Sequence, residues 1–186
     1  MMRCPWVGEL PVMMKYHDEE WGVPLHDDRK LFEFLVLDAF QAGLSWAIVL
    51  KKRENFRKAF VQFHPKRIAI FTGRDVQRLL KDEGIIRNRL KIEGTIKNAR
   101  AFLDVQQEFG SFDAYIWQFV QNKPLSHILR TLKDYPAKTV ESDVMSKDMK
   151  KRGFAFVGST ICYAFMQAAG MANDHAVDCF RRKEVQ

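Results

Sequence analysis

The chain has 186 residues, which suits one domain and is short for two full-sized ones. Hydrophobic residues make up 47% and charged residues 28%, so the chain is not disordered, collagen-like or disulfide-dense. The formal net charge of +7 favours an anionic partner. No apolar run approaches the roughly 18 residues of a membrane span, and residues 1–16 lack a signal pattern. We therefore expect a cytoplasmic protein that is not associated with a membrane.

Two helices are predicted in the first third of the chain. Asp27 and Asp28 can cap a largely buried helix over 31–39, where apolar residues recur at near-helical spacing. After a break at Gly43, Ser45 can cap a second helix that His64 and Pro65 end.

Six further helices are predicted from apolar periodicity and from Ser, Pro and Gly residues that begin or end helices. They are predicted at 65–71, 74–81, 88–108, 111–120, 142–153 and 160–169, with Ser111 and Ser142 as caps and 122–142 as a connector. No alternating pattern with hairpin turns is found. The predicted class is therefore all-α, with about eight helices.

A glycine-containing turn joins two of these helices within 74–100, and the second helix is basic. Such a turn aims backbone N–H groups outward, which suits a phosphate. Its residues are Gly84, Ile85, Ile86 and Arg87. An ordinary helical hairpin with a solvated basic face explains the same pattern. A DNA-binding helix-hairpin-helix usually has a second glycine where Ile86 stands, so both interpretations remain open.

Three cysteines are too few, and odd in number, for a disulfide framework, which agrees with a reducing compartment. Cys4, His17, His175 and Cys179 could nevertheless complete a tetrahedral zinc shell. Four protein ligands leave no open position, so such a zinc would be structural and would join 4–17 to 175–179. The wide spacing of the two pairs by itself favours buried thiols and surface histidines over a metal site.

Aromatic residues cluster near the N-terminus, at Trp6, Tyr16 and Trp21, and Trp46 follows later. Core packing explains any one of them. Asp38 is less ordinary because it interrupts the apolar run 34–40, and a buried acid needs a partner or a purpose. It could cap a neighbouring turn, pair with a lysine or act in a site.

Seven motifs occur in order along the chain: Arg3-Cys4-x-Trp6, Tyr16-His17-Asp18-x-Glu20-Trp21-Gly22, Gln41-Ala42-Gly43-Leu44-Ser45-Trp46, Leu50-Lys51-Lys52-Arg53-Glu54, Gly84-Ile85-Ile86-Arg87, Lys151-Arg152-Gly153-Phe154-x-Phe156-Val157-Gly158 and Asn173-Asp174-His175. Together they resemble the bacterial 3-methyladenine DNA glycosylase I family. The resemblance implies an all-α helix-hairpin-helix glycosylase fold that forms a single domain over 1–186. It also implies a monofunctional base-excision repair enzyme that hydrolyses the N-glycosidic bond of 3-methyladenine.

The same resemblance implies partners and site roles. The substrate is double-stranded DNA with alkylated bases, the enzyme acts as a monomer at the nucleoid, and Cys4, His17, His175 and Cys179 hold one structural Zn²⁺. A flipped base would stack on Trp46 and Trp21 beside Trp6, while Tyr16 and Asp38 would hydrogen-bond its edge. The duplex would be contacted in two places, with Gln41, Gly43 and Leu44 against the gap and the backbone amides of Gly84, Ile85, Ile86 and Arg87 on phosphates.

Three positions depart from the family pattern. Asp38 stands where the family usually has Glu, Met13 where a pocket Tyr is common, and Leu90 where some members have Gly. These changes keep two alternatives open. One is a catalytically weak or inactive relative that still binds alkylated DNA, and the other is a zinc-clasped interaction module that binds no nucleic acid.

Overall fold

The computed structural model describes residues 1–185 and is predominantly helical, as predicted. This range contains nine α-helices: α1 Pro11–Glu19, α2 Asp28–Gln41, α3 Trp46–Ala59, α4 Pro65–Ile68, α5 Gly73–Lys81, α6 Arg89–Phe109, α7 Phe112–Trp117, α8 Val140–Lys151 and α9 Ser159–Ala168. Short 3₁₀ segments lie at Val61–Phe63, Gln118–Val120, Leu132–Asp134 and Phe180–Lys183. No helix of residues 1–185 is long and apolar enough to cross a membrane.

Helix α2 forms the centre of the core. Every residue from Leu31 to Phe40 is buried, because α3, α6, α7 and α9 all pack around this helix. The ring of Phe32 meets that of Phe102 on α6 edge-on, with 5.0 Å between centroids. A helix that is apolar on all sides is stable only inside a core, so Asp38 on α2 is necessarily buried with it.

Helix α1 was not predicted from the sequence. It begins with Pro11 at its first position, has no side-chain cap and buries only Met13, Tyr16 and His17. Three buried positions in nine residues give too weak a periodic signal to detect. The helix nevertheless places Tyr16 and His17 on adjacent positions facing the interior.

Several predicted boundaries were wrong. The second helix ends at Ala59 rather than near His64, because Val61–Phe63 forms a separate 3₁₀ turn with positive φ. Helix α4 ends at Ile68 instead of residue 71. Helix α8 begins at Val140 with Thr139 as its cap, while Ser142 is the third helical residue and returns a hydrogen bond to Thr139.

Two short strands contradict the expectation that no strands pair. Strands β1 Leu125–Ser126 and β2 Ala172–Asn173 pair in parallel, with Leu125 opposite Ala172. A two-residue strand is too short to show alternation, so this pairing could not be predicted from the sequence. It holds the segment before α8 against the residues that precede His175.

An ion-pair network fixes the helices around α2. Arg53 on α3 donates to Glu20 at 2.7–2.8 Å and to Glu33 on α2 at 2.5 Å. Arg57 donates to the same Glu33 at 3.0 Å. The four side chains line a cleft of about 880 Å³ on the outer side of α1. Because Glu20 follows α1, the network ties α1, α2 and α3 together behind Tyr16.

Candidate active site and candidate metal centre

A cavity of about 310 Å³ opens between α1, α2, the start of α3 and α9. Small-molecule sites typically enclose about 300–1,000 Å³. The wall is largely aromatic and contains one carboxyl group; its lining residues are Trp6, Met13, Tyr16, Trp21, Asp38, Gln41, Trp46, Leu132, Tyr135, Pro136, Ala164 and Gln167. The fold therefore brings the predicted tryptophans, the tyrosine and Asp38 to one place.

Four buried polar atoms in this wall have no hydrogen-bond partner within residues 1–185. They are Trp6 Nε1, Asp38 Oδ2, Trp46 Nε1 and Tyr135 OH. Buried polar groups are normally hydrogen-bonded, because an unsatisfied donor or acceptor is destabilising. Their concentration around one cavity indicates that a molecule entering it supplies the missing partners.

Asp38 is the group most affected by this environment. It is 3% exposed and makes no ion pair within the described part of the chain, so neither a lysine partner nor a capping role accounts for it. Burial raises the pKa of Asp38 well above its ordinary value. Its position in the last turn of α2, where the helix dipole is negative, also disfavours the carboxylate. A cation entering the cavity would reverse that preference.

The aromatic rings are held at fixed angles by one another. Trp6 meets Trp21 edge-on with centroids 4.7 Å apart, and Tyr16 lies 5.3 Å from Trp46 at 58°. Desolvation raises the pKa of Tyr16 well above its ordinary value, and the charge of Asp38 acts in the same direction. Tyr16 therefore stays protonated and can donate a hydrogen bond into the cavity.

Five lining residues were missed from the sequence, and two of them, Ala164 and Gln167, lie on α9. Leu132, Tyr135 and Pro136 come from the 122–142 segment that was predicted to be only a connector. Burial raises the pKa of the Tyr135 phenol. An aromatic residue before Pro136 was the only available signal, and it does not indicate a pocket by itself.

The four candidate metal ligands meet at one buried point. The ligand atoms of Cys4, His17, His175 and Cys179 lie within 4.8 Å of one another. His175 Nδ1 is 3.5 Å from Cys4 Sγ and 3.4 Å from Cys179 Sγ. A tetrahedral zinc with Zn–S near 2.3 Å and Zn–N near 2.0–2.1 Å separates N and S ligands by about 3.6 Å. The residues therefore fit a four-coordinate zinc.

Neighbouring groups determine which imidazole nitrogens face the cluster. His17 Nδ1 lies 2.8 Å from Asp18 Oδ1, and Asp18 in turn accepts from Arg3 at 2.7–3.0 Å. His175 Nε2 lies 3.1 Å from the Trp21 carbonyl oxygen. These contacts direct His17 Nε2 and His175 Nδ1 towards the thiols of the cluster, as outer partners of metal sites commonly do.

The protonation states also suit metal binding. Desolvation lowers the pKa of His17, and desolvation followed by the charge of His17 lowers the pKa of His175 to about 4. Both imidazoles are therefore neutral near pH 7. The hydrogen bond from Arg3 lowers the pKa of Asp18 to about 2, so the carboxylate beside His17 stays charged.

The candidate metal cluster of Cys4, His17, His175 and Cys179 supports one wall of the cavity. Trp21 accepts from His175 through its carbonyl oxygen and lines the cavity with its ring. Trp6 packs against both Trp21 and His17. A Cβ on Gly22, whose φ is +77°, would lie 2.8 Å from His175 Nε2, so only glycine allows this approach.

The two segments predicted to contact nucleic acid lie outside the cavity, apart from Gln41. Gln41 Nε2 donates to Leu44 O at 2.9 Å and closes the loop after α2, while Gly43 adopts φ +83°. In the turn between α5 and α6, Gly84 N donates to Asp82 at 2.8 Å. The backbone N–H groups of Ile86 and Arg87 have no acceptor within residues 1–185.

The protein is therefore predominantly helical, and its cavity has aromatic walls and one carboxyl group, which suit a flat ring that carries positive charge. A sequence model of the methyladenine glycosylase family matches residues 6–182, and the chain belongs to that family. DNA-3-methyladenine glycosylase 1 of Escherichia coli (strain K12) is 52% identical over 179 residues, covering 96% of each chain.

Solved structures agree with this assignment. A crystal structure of 3-methyladenine DNA glycosylase I superposes with a TM-score of 0.94 at 52% identity, covering 96% of this chain and 98% of that chain. A variant of 3-methyladenine DNA glycosylase I in complex with 3-methyladenine superposes with a TM-score of 0.94 at 35% identity, covering 98% of both chains.

Proposed function

We propose that this protein is a monofunctional DNA glycosylase that hydrolyses the N-glycosidic bond of 3-methyladenine in alkylated double-stranded DNA. The observation that carries the proposal is the buried Asp38 carboxyl, without a partner, in the wall of an aromatic cavity. The relatives named above as 3-methyladenine DNA glycosylases support it, as does the 3-methyladenine bound in one of them. The activity is the first step of base-excision repair.

Recognition of the base follows from its charge. 3-Methyladenine in DNA is cationic and planar, so it stacks favourably on Trp46 and Trp21 by cation–π attraction. The cation also stabilises the ionised form of Asp38, which burial otherwise disfavours. Tyr16 hydrogen-bonds the base edge, Asp38 faces the same edge, and Trp6 completes the wall. A normal, neutral adenine provides neither the stacking advantage nor the charge.

The chemical step needs little from the protein. The base is first flipped out of the duplex, and a methylated base, which pairs poorly, leaves the stack at a lower cost than an intact one. Water forms a bond to C1′, the C1′–N9 bond breaks, its electron pair neutralises the leaving base, and the water releases a proton. Asp38 stabilises the positive charge on base and sugar electrostatically, and no covalent enzyme intermediate is required.

The shorter acid affects geometry rather than charge. Aspartate places its carboxyl about 1.5 Å farther back than glutamate, one C–C bond length. We propose that a water bridges Asp38 and the base. Met13, which is buried beside the cavity, replaces a family tyrosine and makes that part of the wall apolar.

DNA is held by two segments on the protein surface. The α5–α6 turn acts as a helix-hairpin-helix, in which the free backbone amides of Ile86 and Arg87 bind phosphates without reading sequence. The amides of Gly84 and Ile85 donate to Asp82 and shape the turn. Gln41, Gly43 and Leu44 face the gap that the flipped base leaves. The free N–H groups at Ile86 and Arg87 support the first role, and the position of Gln41 at the cavity supports the second.

One zinc ion per chain is held by Cys4, His17, His175 and Cys179. Its role is structural, because four protein ligands leave no position for water or substrate. When bound there, the ion would cross-link the segments 4–17 and 175–179 and would take no part in hydrolysis. The fit of the ligand separations to tetrahedral zinc supports this assignment.

The test is single-turnover release of free base from methylated duplex DNA, with wild type, Asp38→Asn and Asp38→Glu compared. We expect 3-methyladenine release by wild type and a reduction of roughly 100-fold in Asp38→Asn, because the neutral amide cannot stabilise the cation. Release that is unchanged in Asp38→Asn contradicts the role of Asp38. Lesion-dependent binding without release by wild type, with release restored in Asp38→Glu, favours the alternative of a lesion-binding relative.

A further inference from the structure

Lys91 is a buried lysine that bonds across to α2. It lies in the first turn of α6, is 8% exposed, and its Nζ donates to Phe40 O at 2.8 Å and to Ala42 O at 2.7 Å. Both carbonyls stand at the C-terminal end of α2, where helix carbonyls lack intrahelical donors and the dipole is negative. Lys91 thereby joins α6 to the helix that carries Asp38.

Lys52 makes a matching contact in the opposite direction. It lies on α3, and its Nζ donates to Glu83 O at 2.9 Å and to Gly84 O at 3.3 Å, both in the α5–α6 turn. Asn55 on α3 donates to the same Gly84 O at 3.3 Å. Lys52 thereby joins the turn to the helix whose first residue is Trp46.

We infer that Lys52 and Lys91 are positioning residues that fix the α5–α6 turn to the two pocket helices, so that a duplex held at the turn presents its damaged base at the cavity. The inference rests on the proposed function, because it assumes that the turn binds phosphates. Each ammonium group bonds two backbone carbonyls, which sets a position more firmly than one bond does. The other polar contacts between α3 and this region, from Asn55 to Gly84 O and from Arg78 to Ala59 O, are single hydrogen bonds of 3.3 Å.

The geometry separates this role from direct phosphate binding. The ammonium of Lys91 is directed at two carbonyls inside the protein, and that of Lys52 is directed at the turn itself. Neither residue lines the cavity, so neither can contact the base. The adjacent Lys51 is exposed and forms no hydrogen bond or ion pair within the described residues, so it provides a matched control for charge on the same helix.

The experiment compares wild type with Lys52→Met, Lys91→Met and the control Lys51→Met. Three quantities are measured: the maximal single-turnover rate of base release from methylated duplex, the duplex concentration at half-maximal rate, and the affinity for free 3-methyladenine from tryptophan fluorescence. Thermal unfolding monitors the fold. Lys52 is only half-buried, so its variant keeps the test valid if Lys91→Met does not fold.

We expect the maximal rate to fall roughly 10- to 100-fold in Lys52→Met and Lys91→Met, because small misplacements reduce rates by such factors. Half-saturation and free-base affinity should stay within about twofold, and Lys51→Met should keep the wild-type maximal rate. Three results overturn the inference: an unchanged maximal rate, an effect on half-saturation alone, or a parallel loss of free-base affinity. If wild type releases no base, the proposed function fails first, and this inference fails with it.

Discussion

Asp38 is a single residue that opposes folding while it lines the aromatic cavity. A carboxyl that is buried without a partner destabilises the folded state. Asp38 is buried because it lies within the stretch of α2 in which every residue from Leu31 to Phe40 is buried. The apolar run around Asp38 was enough to predict burial from the sequence. The absence of a partner could not be predicted, because it depends on α9 and on the 132–136 segment, which are distant in sequence.

The raised pKa of Asp38 makes stability depend on pH. An acid whose pKa is higher in the folded than in the unfolded state binds more protons when folded, so stability falls as pH rises above the unfolded pKa near 4. The slope reaches about 1.4 kcal/mol per pH unit between the two pKa values. Asp38→Asn removes this dependence while keeping the side-chain shape.

We therefore expect the free energy of unfolding of Asp38→Asn to exceed that of wild type, by a margin that widens from pH 5 towards neutrality. Urea unfolding of both proteins across this range measures the margin, and contributions common to both proteins cancel. A margin that does not change between pH 5 and pH 7 would contradict a raised pKa for Asp38.

Among the elements, eight of the nine helices within residues 1–185 were predicted, and helix α1 and the two short strands were not. Helices α5, α6 and α9 begin and end within one residue of their predicted ranges. In each of them, Gly, Asn or Ser residues flank a segment of helical apolar periodicity. Helix α1 and strands β1 and β2 have too few buried positions to produce a pattern. Their positions depend on tertiary contacts, among them the two histidines of the metal cluster.

The α5–α6 turn depends on a close approach at Gly84. A Cβ there would lie 2.9 Å from Asp82 Oδ1 and 3.0 Å from Asn55 Cβ, so an alanine forces the turn away from α3. We expect Gly84→Ala to lower affinity for duplex DNA roughly tenfold, because the phosphate-binding amides move together. Affinity for free 3-methyladenine should not change.

Fluorescence anisotropy with a labelled duplex measures the first quantity for Gly84→Ala, and tryptophan fluorescence measures the second. Gly73→Ala is a matched control, because it stands at the start of α5 and a Cβ there meets nothing within 4 Å. Equal duplex affinity in Gly84→Ala and wild type would rule out the turn as the phosphate site.

At the scale of the whole molecule, the metal cluster joins the two ends of the chain. Cys4 and Cys179 are separated by nearly the full sequence, so their spacing could not predict contact, and only the family resemblance implied it. The fold brings them together through α1 and through the β1–β2 pairing, which positions the residues before His175. Since His175 also contacts the Trp21 carbonyl, the two ends of the chain and the wall of the aromatic cavity are held by the same cluster.

Removal of the metal should therefore weaken both the fold and the pocket. We expect about one zinc per chain in wild type and a loss of about 3 kcal/mol on chelation or in Cys179→Ser, similar to removing a typical covalent cross-link. For a chain of this size that corresponds to a melting temperature lower by about 6–12 °C. Free 3-methyladenine should bind less tightly, because Trp21 and Trp6 lose their support. Cys162→Ser removes a buried thiol outside the cluster and should keep its zinc. A zinc-free protein with the melting temperature and base affinity of wild type would contradict the structural role of the cluster.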